Sequence, residues 1–342
     1  MHSYFGHFVS QLLLFTSKHI LIDSSIKNTG MLKMLRTTAL ALVLSVTAGQ
    51  AFADTSCDVV RFSDVGWTDI TATTAATSTV LNALGYETTT DILSVPVTYA
   101  SMAEGNIDVF LGNWMPTMEG DIATYREAGT VDTVRTNLTG AKYTLATNAA
   151  GVAAGITDFA SIATAMKALD GKIYGIEAGN DGNRLIQDMI DSGPFGLDGF
   201  EVVESSEQGM LAQVERADDR DEAVVFLGWE PHPMNAKFDM TYLPGGDDYF
   251  GPDLGGATVA TNTRAGFVAE CPNTGKLLQN LEFSLAMENE IMGAILNDGV
   301  DPEDAAKAWL AANTEAWTPW LAGVTAKDGG DAVAAVTSAL NM

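Results

Sequence analysis

The chain has 342 residues and a formal net charge of −26, from 18 basic and 44 acidic side chains. An acidic surface of this kind repels nucleic acid and attracts cations, so nucleic-acid binding is excluded from the functions considered. The charge by itself does not identify a ligand.

Residues 1–53 are predicted to be an N-terminal extension followed by a signal peptide at about 31–53. This segment has a basic start, an apolar run too short to span a membrane, and an Ala-Phe-Ala sequence typical of a cleavage site. We expect cleavage after about Ala53 and a periplasmic location. Because the residues before it fit no part of a signal peptide, we expect translation to start at Met31 or Met34.

After the signal peptide, the pattern alternates between strands and helices. Strands are predicted at 59–62, 92–97, 107–111, 143–147, 173–176, 200–204 and 223–227. Helices are predicted at 68–84, 99–104, 121–128, 159–169, 183–192, 208–216, 274–287, 288–296 and 302–313. This rhythm predicts an α/β fold with a parallel sheet covered by helices.

The alternation indicates two α/β lobes joined by two chain crossings. It restarts near Tyr143 and is interrupted by a stretch at 245–256 rich in Gly and Asp, which we interpret as the return crossing. Lobe 1 is then predicted at 54–141 and 257–342, and lobe 2 at 142–256. Two lobes in simple succession are the alternative.

Two cysteines, Cys57 and Cys271, follow the signal peptide. In an exported protein a lone pair most simply forms one disulfide. Both cysteines fall in the predicted lobe 1, so such a bond would hold the returning segment without crossing the cleft. A pairing of this range argues against lobes in simple succession.

Three stretches share a pattern in which an apolar run reaches a glycine and then a tryptophan. They place Trp67, Trp114 and Trp229 after predicted strands. Ligands of open α/β sheets sit beyond the carboxyl ends of strands, and glycine permits both a sharp turn and close approach. Ordinary core packing is the alternative for any one tryptophan, but three in one local setting favour an aromatic box.

Few residues could support catalysis or bind a metal. His232 is the single histidine after the signal peptide, and its proline neighbours predict a stiff, exposed turn rather than a catalytic base or a metal site. The chain has no Walker loop, dinucleotide fingerprint or nucleophile elbow. We therefore expect no metal, no cofactor and no enzymatic activity. An aromatic box instead suits a quaternary ammonium group, which attracts ring faces and has no N–H to donate.

Four fragments at their observed spacing resemble the substrate-binding proteins of quaternary-amine ABC importers, the choline and glycine betaine group. The fragments are Gly66-Trp67-Thr68-Asp69, Gly112-Asn113-Trp114-Met115-Pro116, Lys142-Tyr143 and Gly228-Trp229-Glu230-Pro231. The resemblance covers the whole chain after the signal peptide. It implies a two-lobed type II periplasmic binding protein fold, a cleft that closes on its ligand, and a disulfide between Cys57 and Cys271.

The resemblance also assigns roles to six residues. It implies that four aromatic side chains enclose a trimethylammonium group and that two polar side chains contact the choline hydroxyl: Trp67, Trp114, Tyr143 and Trp229, then Asp69 and Asn180. From the residues alone, Tyr143 could not be chosen among the tyrosines and Asn180 would be a turn residue. Asp69 would be a helix N-terminal residue that the dipole favours, and both roles are compatible.

The resemblance implies a monomer that captures choline in the periplasm and delivers it to a membrane permease with its ATPase. Acetylcholine, and glycine betaine more weakly, are further candidate ligands. The carboxylate of betaine would be repelled by Asp69, which is a physical reason to prefer choline. A betaine or carnitine binder of the same importer class is the first alternative. An exported choline-ester hydrolase is the second, and the single histidine argues against it.

Overall fold

The structure is a computed structural model that describes residues 57–340. The predicted extension, the signal peptide at 31–53 and its cleavage after Ala53 lie outside the described residues. Within 57–340, no helix combines the length and apolarity needed to cross a membrane.

The described residues contain nine strands, which form one mixed sheet. The strands are β1 (Val59–Asp64), β2 (Glu87–Ile92), β3 (Val109–Met115), β4 (Val131–Asn148), β5 (Lys172–Tyr174), β6 (Glu201–Val203), β7 (Val225–Glu230), β8 (Met240–Tyr242) and β9 (Gly256–Arg264). Their order is β2-β1-β3-β9-β4-β7-β5-β6, and β8 pairs with β4. The predicted parallel pairing holds for β1 with β2 and β3, and for β5 with β6 and β7. All pairs that involve β4 or β9 are antiparallel.

Helices cover the sheet and complete the core. They are α1 (Thr68–Ala83), α2 (Val95–Ala103), α3 (Glu119–Glu127), α4 (Ala149–Ala153), α5 (Phe159–Ile162), α6 (Asp181–Ser192), α7 (Glu207–Asp218), α8 (Met234–Lys237), α9 (Asp247–Phe250), α10 (Pro252–Gly255), α11 (Phe267–Glu270), α12 (Pro272–Asn280), α13 (Leu285–Leu296), α14 (Pro302–Ala312), α15 (Thr314–Trp317) and α16 (Ala332–Ala339). Short 3₁₀ turns occupy Ala163–Ala165 and Thr318–Leu321.

Strands β4 and β9 run side by side between the two halves of the sheet. Near the middle of β4, Ala141 pairs with Ala257 and Lys142 pairs with Gly256. We propose that these pairs mark the lobe boundary, with lobe 1 at 54–141 and 257–342 and lobe 2 at 142–256. The two chain crossings would then be hydrogen-bonded neighbours, and the antiparallel pairing follows because β9 returns along the path that β4 took.

Several predicted elements were wrong, each for a local reason. The strand predicted at 92–97 is instead the end of β2 and the start of α2, where Pro96 occupies a first helical turn that tolerates proline. The helix predicted at 274–287 is two helices, because Ser284 caps α13 by accepting the Met287 N–H. The helix predicted at 159–169 ends after one turn.

The predicted disulfide is confirmed. Cys57 and Cys271 are bonded, with Cα atoms 5.5 Å apart and a sequence separation of 214. In the chain-entropy model, a loop of this length stabilises the folded state by up to about 5 kcal/mol. The bond ties the residues before β1 to the start of α12, away from the lobe crossings.

Candidate functional site

One small cavity brings together all six residues predicted to form the site. The cavity is lined by Trp67, Asp69, Trp114, Tyr143, Ile176, Asn180, Asp181 and Trp229. The sequence did not single out Ile176 or Asp181, because an aliphatic strand end and one acid among 44 acidic residues carry no distinguishing pattern.

The turn between β1 and α1 positions Trp67. Gly66 adopts φ +82°, a conformation that other residues avoid. The Asp64 carboxylate holds the turn by accepting the Gly66 N–H at 2.7 Å and the Thr71 hydroxyl at 2.6 Å. The Trp67 indole N–H then donates to both carboxylate oxygens of Glu177, each at 3.0 Å. Glu177, which does not itself line the cavity, therefore orients Trp67.

Trp114 and Trp229 lie within strands, one residue before each strand ends. The expectation that these strands stop at the glycine was wrong, since β3 passes through Gly112 and β7 through Gly228. A Cβ on Gly112 would lie 2.7 Å from the Cγ1 of Ile70, and one on Gly228 would lie 2.9 Å from a methionine methyl carbon. Glycine therefore permits close packing at both positions, and neither glycine adopts the positive φ of a turn.

Tyr143 is the centre of the aromatic group. It lies on β4 directly opposite Trp229 on β7. Its ring centroid is 6.4 Å from Trp229, 6.1 Å from Trp114 and 5.7 Å from Phe250, all in edge-to-face geometry. The Tyr143 hydroxyl donates to the Asn180 Oδ1 at 2.9 Å.

Asn180 is the N-cap of α6. Its Oδ1 accepts the Gly182 N–H at 2.8 Å as well as the Tyr143 hydroxyl. Its backbone φ is −68°, so a left-handed turn position does not explain this residue. The side-chain nitrogen donates to Glu177 at 3.3 Å and carries a second hydrogen. Because Asn180 lines the cavity, that second N–H is a candidate donor to a ligand.

Buried carboxyl groups dominate the electrostatics of the cavity. The Asp69 Oδ2 accepts the Trp114 indole N–H at 3.1 Å, whereas its Oδ1 has no hydrogen-bond partner among the described residues. Burial, reinforced by the charge of Glu207, raises the pKa of Asp69 to about 8. Burial also raises the pKa of Glu177 to about 7 and that of Asp181 to about 6. None of the eight lining side chains is basic, so the cavity suits a cation that can donate a hydrogen bond.

The predicted exposure of His232 was wrong, because the side chain is 1% exposed. Its Nδ1 accepts the Met234 N–H at 2.9 Å, which places the ring proton on Nε2. Nε2 lies 3.2 Å from the Glu207 Oε1. Both ring nitrogens are therefore occupied, and neither is available as a base for a ligand.

Trp317 and Trp320 belong to the core rather than to the cavity. Their indole N–H groups donate to the backbone carbonyls of Leu310 and Glu282. No group of three or more His, Cys, Asp or Glu side chains between residues 57 and 340 could hold a metal ion.

The family model described as the substrate-binding domain of the ABC-type glycine betaine transport system matches residues 58–312. The chain belongs to this family of substrate-binding domains. The glycine betaine/carnitine transport binding protein GbuC of Listeria monocytogenes is 31% identical over 157 residues, which is 46% of this chain and 51% of that protein.

Two solved structures are much more similar. An ABC-transporter choline-binding protein in complex with choline is 69% identical, with a TM-score of 0.83 over 83% of this chain and 99% of that one. An ABC-transporter choline-binding protein in an unliganded semi-closed conformation is also 69% identical, with a TM-score of 0.78 over 84% of this chain and 100% of that one. The two-lobed periplasmic binding protein fold is thereby confirmed.

Proposed function

We propose that this protein captures choline between its two lobes in the periplasm and delivers it to an ABC importer. The observation that carries the proposal is the buried aromatic cavity with an unpartnered carboxyl oxygen on Asp69. The choline complex of a 69% identical protein supports the same ligand.

The aromatic side chains suit the trimethylammonium end of choline. Trp67, Trp114, Tyr143 and Trp229 are each 4–6% exposed, so a cation among them is largely removed from water. A desolvated cation–ring contact contributes about 2 kcal/mol or more. Several such contacts can support the roughly 8 kcal/mol of a micromolar site, although they do not simply add.

The polar groups suit the hydroxyl end of choline. In its ionised form, the Asp69 Oδ1 would accept the choline O–H and gain the partner that it lacks in the protein. The remaining N–H of Asn180 would donate to the same hydroxyl oxygen. We propose these two contacts as the basis of recognition, with acetylcholine as a further ligand.

Glycine betaine carries a carboxylate, and Asp69 and Asp181 would both repel it once they are ionised. We therefore propose weaker binding of betaine. We also propose that the protein binds either ligand as a monomer. The family description and the GbuC relative keep a betaine or carnitine preference as the second candidate.

Calorimetric titration of the chain from Asp54 onward with choline and with glycine betaine tests the proposal. We expect tight binding of choline and weak binding of betaine. Asp69→Asn should weaken choline binding about tenfold, the loss of roughly one charged hydrogen bond, and should leave betaine binding unchanged or improved. Tight betaine binding by the wild type would replace choline by betaine as the ligand. Equal losses for both ligands in Asp69→Asn would contradict the role of Asp69.

We expect choline affinity to increase with pH from about 6 to about 8, the range in which the pKa values of Asp181 and Asp69 lie. The positive ligand favours the ionised carboxyl groups, so the complex holds fewer protons than the ligand-free protein in the conformation described here, and a higher pH favours the complex. Titrations in phosphate and in Tris should differ in heat, because the protons released are taken up by the buffer. Asp69→Asn should reduce the dependence of choline affinity on pH. A wild-type affinity that is independent of pH would contradict the proposed release of protons on binding.

Members of the family are substrate-binding transport proteins. Hydrolysis of choline esters would need a base, and both ring nitrogens of His232 are already engaged. We therefore propose that acetylcholine is bound without being cleaved. Release of choline from acetylcholine by the purified protein would contradict this.

A further inference from the structure

We propose that Glu207 is a positioning residue for the ligand site, which couples contact between the lobes to the placement of Trp67, Asp69 and Trp229. The inference rests on the proposed function and goes beyond the residues that line the cavity. Glu207 itself is not one of these lining residues.

Glu207 is the first residue of α7 and its side chain is fully buried. Its Oε2 accepts the backbone N–H of Thr68 at 2.8 Å. Its Oε1 accepts the Thr68 hydroxyl at 2.5 Å and lies 3.2 Å from the His232 Nε2. Both carboxylate oxygens are therefore committed to specific donors.

On one side, Glu207 completes the N-terminus of α1. Trp67 occupies the N-cap position and supplies no side-chain acceptor for the first turn. A carboxylate 139 residues away in the chain accepts the Thr68 N–H instead. Helix N-termini favour negative charge, so the carboxylate is well placed there. Because Thr68 stands between Trp67 and Asp69, holding Thr68 holds both of these cavity residues.

On the other side, Glu207 holds the histidine that supports Trp229. The rings of His232 and Trp229 pack with centroids 4.9 Å apart. The Met234 N–H fixes the tautomer of His232, so its Nε2–H is the donor that faces Glu207. One carboxylate outside the cavity lining thus supports cavity residues from both proposed lobes.

In the proposed division, Thr68 belongs to lobe 1, whereas Glu207 and His232 belong to lobe 2. The contacts between Glu207 and Thr68 therefore form only when the lobes come together, and in an open protein water would solvate the carboxylate. A change at Glu207 should accordingly destabilise the ligand-bound protein more than the ligand-free protein. This larger destabilisation of the ligand-bound protein should appear as faster ligand release.

The test compares Glu207→Gln with the control variant Glu215→Gln. Glu215 carries an exposed carboxylate on the same helix. The glutamine keeps the shape of the side chain but presents an NH₂ group to donors that need an acceptor. We expect Glu207→Gln to weaken choline binding at least tenfold, mainly through a faster dissociation rate in stopped-flow tryptophan fluorescence. The melting temperature of the ligand-free protein should stay unchanged. Glu215→Gln should stay within twofold of the wild type.

Thr68→Val provides a second variant if Glu207→Gln folds poorly, since it removes the hydroxyl donor and keeps the backbone N–H. We expect a smaller loss of affinity, again with faster dissociation. An affinity within twofold for Glu207→Gln, or an equal loss of thermal stability with and without ligand, would overturn the inference. A wild type that binds betaine instead of choline would refute the ligand assignment alone. The affinities and dissociation rates of the same variants would then be measured with betaine as the ligand.

Discussion

Replacing Trp229 with alanine should weaken choline binding about 30-fold, because a desolvated cation–ring contact contributes about 2 kcal/mol and each 1.4 kcal/mol is a factor of ten. Trp229 is 4% exposed and lies opposite Tyr143 in the sheet, so its loss also removes one wall of the cavity. Calorimetric titration with choline measures the effect, and glycine betaine should lose a similar factor because it shares the trimethylammonium group.

Trp309→Ala is the matched control. Trp309 lies on α14 and donates its indole N–H to Glu290, away from the cavity. The Trp309→Ala substitution should therefore leave choline affinity within twofold of the wild type. A loss of less than twofold in Trp229→Ala would show that the trimethylammonium group sits elsewhere.

Replacing Gly182 with alanine should have a still larger effect, a loss of choline affinity of about 100-fold. A Cβ at this position would lie 2.1 Å from the Tyr143 hydroxyl oxygen, a distance that non-bonded atoms cannot share. Tyr143 must therefore move, which breaks its hydrogen bond to Asn180 and displaces the central ring. A lost ring contact of about 2 kcal/mol and a lost buried hydrogen bond of about 1 kcal/mol together give this factor.

Gly293→Ala controls for the change of glycine to alanine in a helix. The nearest atom to a Cβ on Gly293 is 3.9 Å away, so the methyl group fits without displacement. We expect unchanged affinity and a gain in stability of about 0.5–1 kcal/mol, measured by denaturant unfolding. Wild-type affinity in Gly182→Ala would show that Tyr143 is not part of the binding site.

The sequence located residues of the candidate site wherever local pattern and spatial position coincide. A run of apolar residues followed by glycine and tryptophan locates Trp114 and Trp229 near strand ends, and the turn at Gly66 locates Trp67. Tyr143 has no such pattern, because its place follows from pairing across the sheet with Trp229. The family resemblance supplied it, and the residues alone could not.

Other features depended on contacts that no local pattern records. The first half of β4 and most of β9 are rich in Thr and Asn, so neither shows the apolar run of a buried strand. His232 stands between prolines, a setting typical of an exposed turn, yet Glu207 reaches it from a distant helix. Glu207 had no distinguishing signal in a chain with 44 acidic residues.

The carboxyl groups of the cavity affect how much ATP an importer would hydrolyse without moving a ligand. A protein that closed without ligand would bury Asp69 and Asp181 beside Glu177 with no positive charge among the lining side chains, which is unfavourable unless protons are taken up. A quaternary ammonium supplies that charge without any proton. Closure thereby becomes a signal of occupancy. An importer that recognises the closed shape would engage loaded molecules in preference to vacant ones, and so avoid futile rounds of ATP hydrolysis.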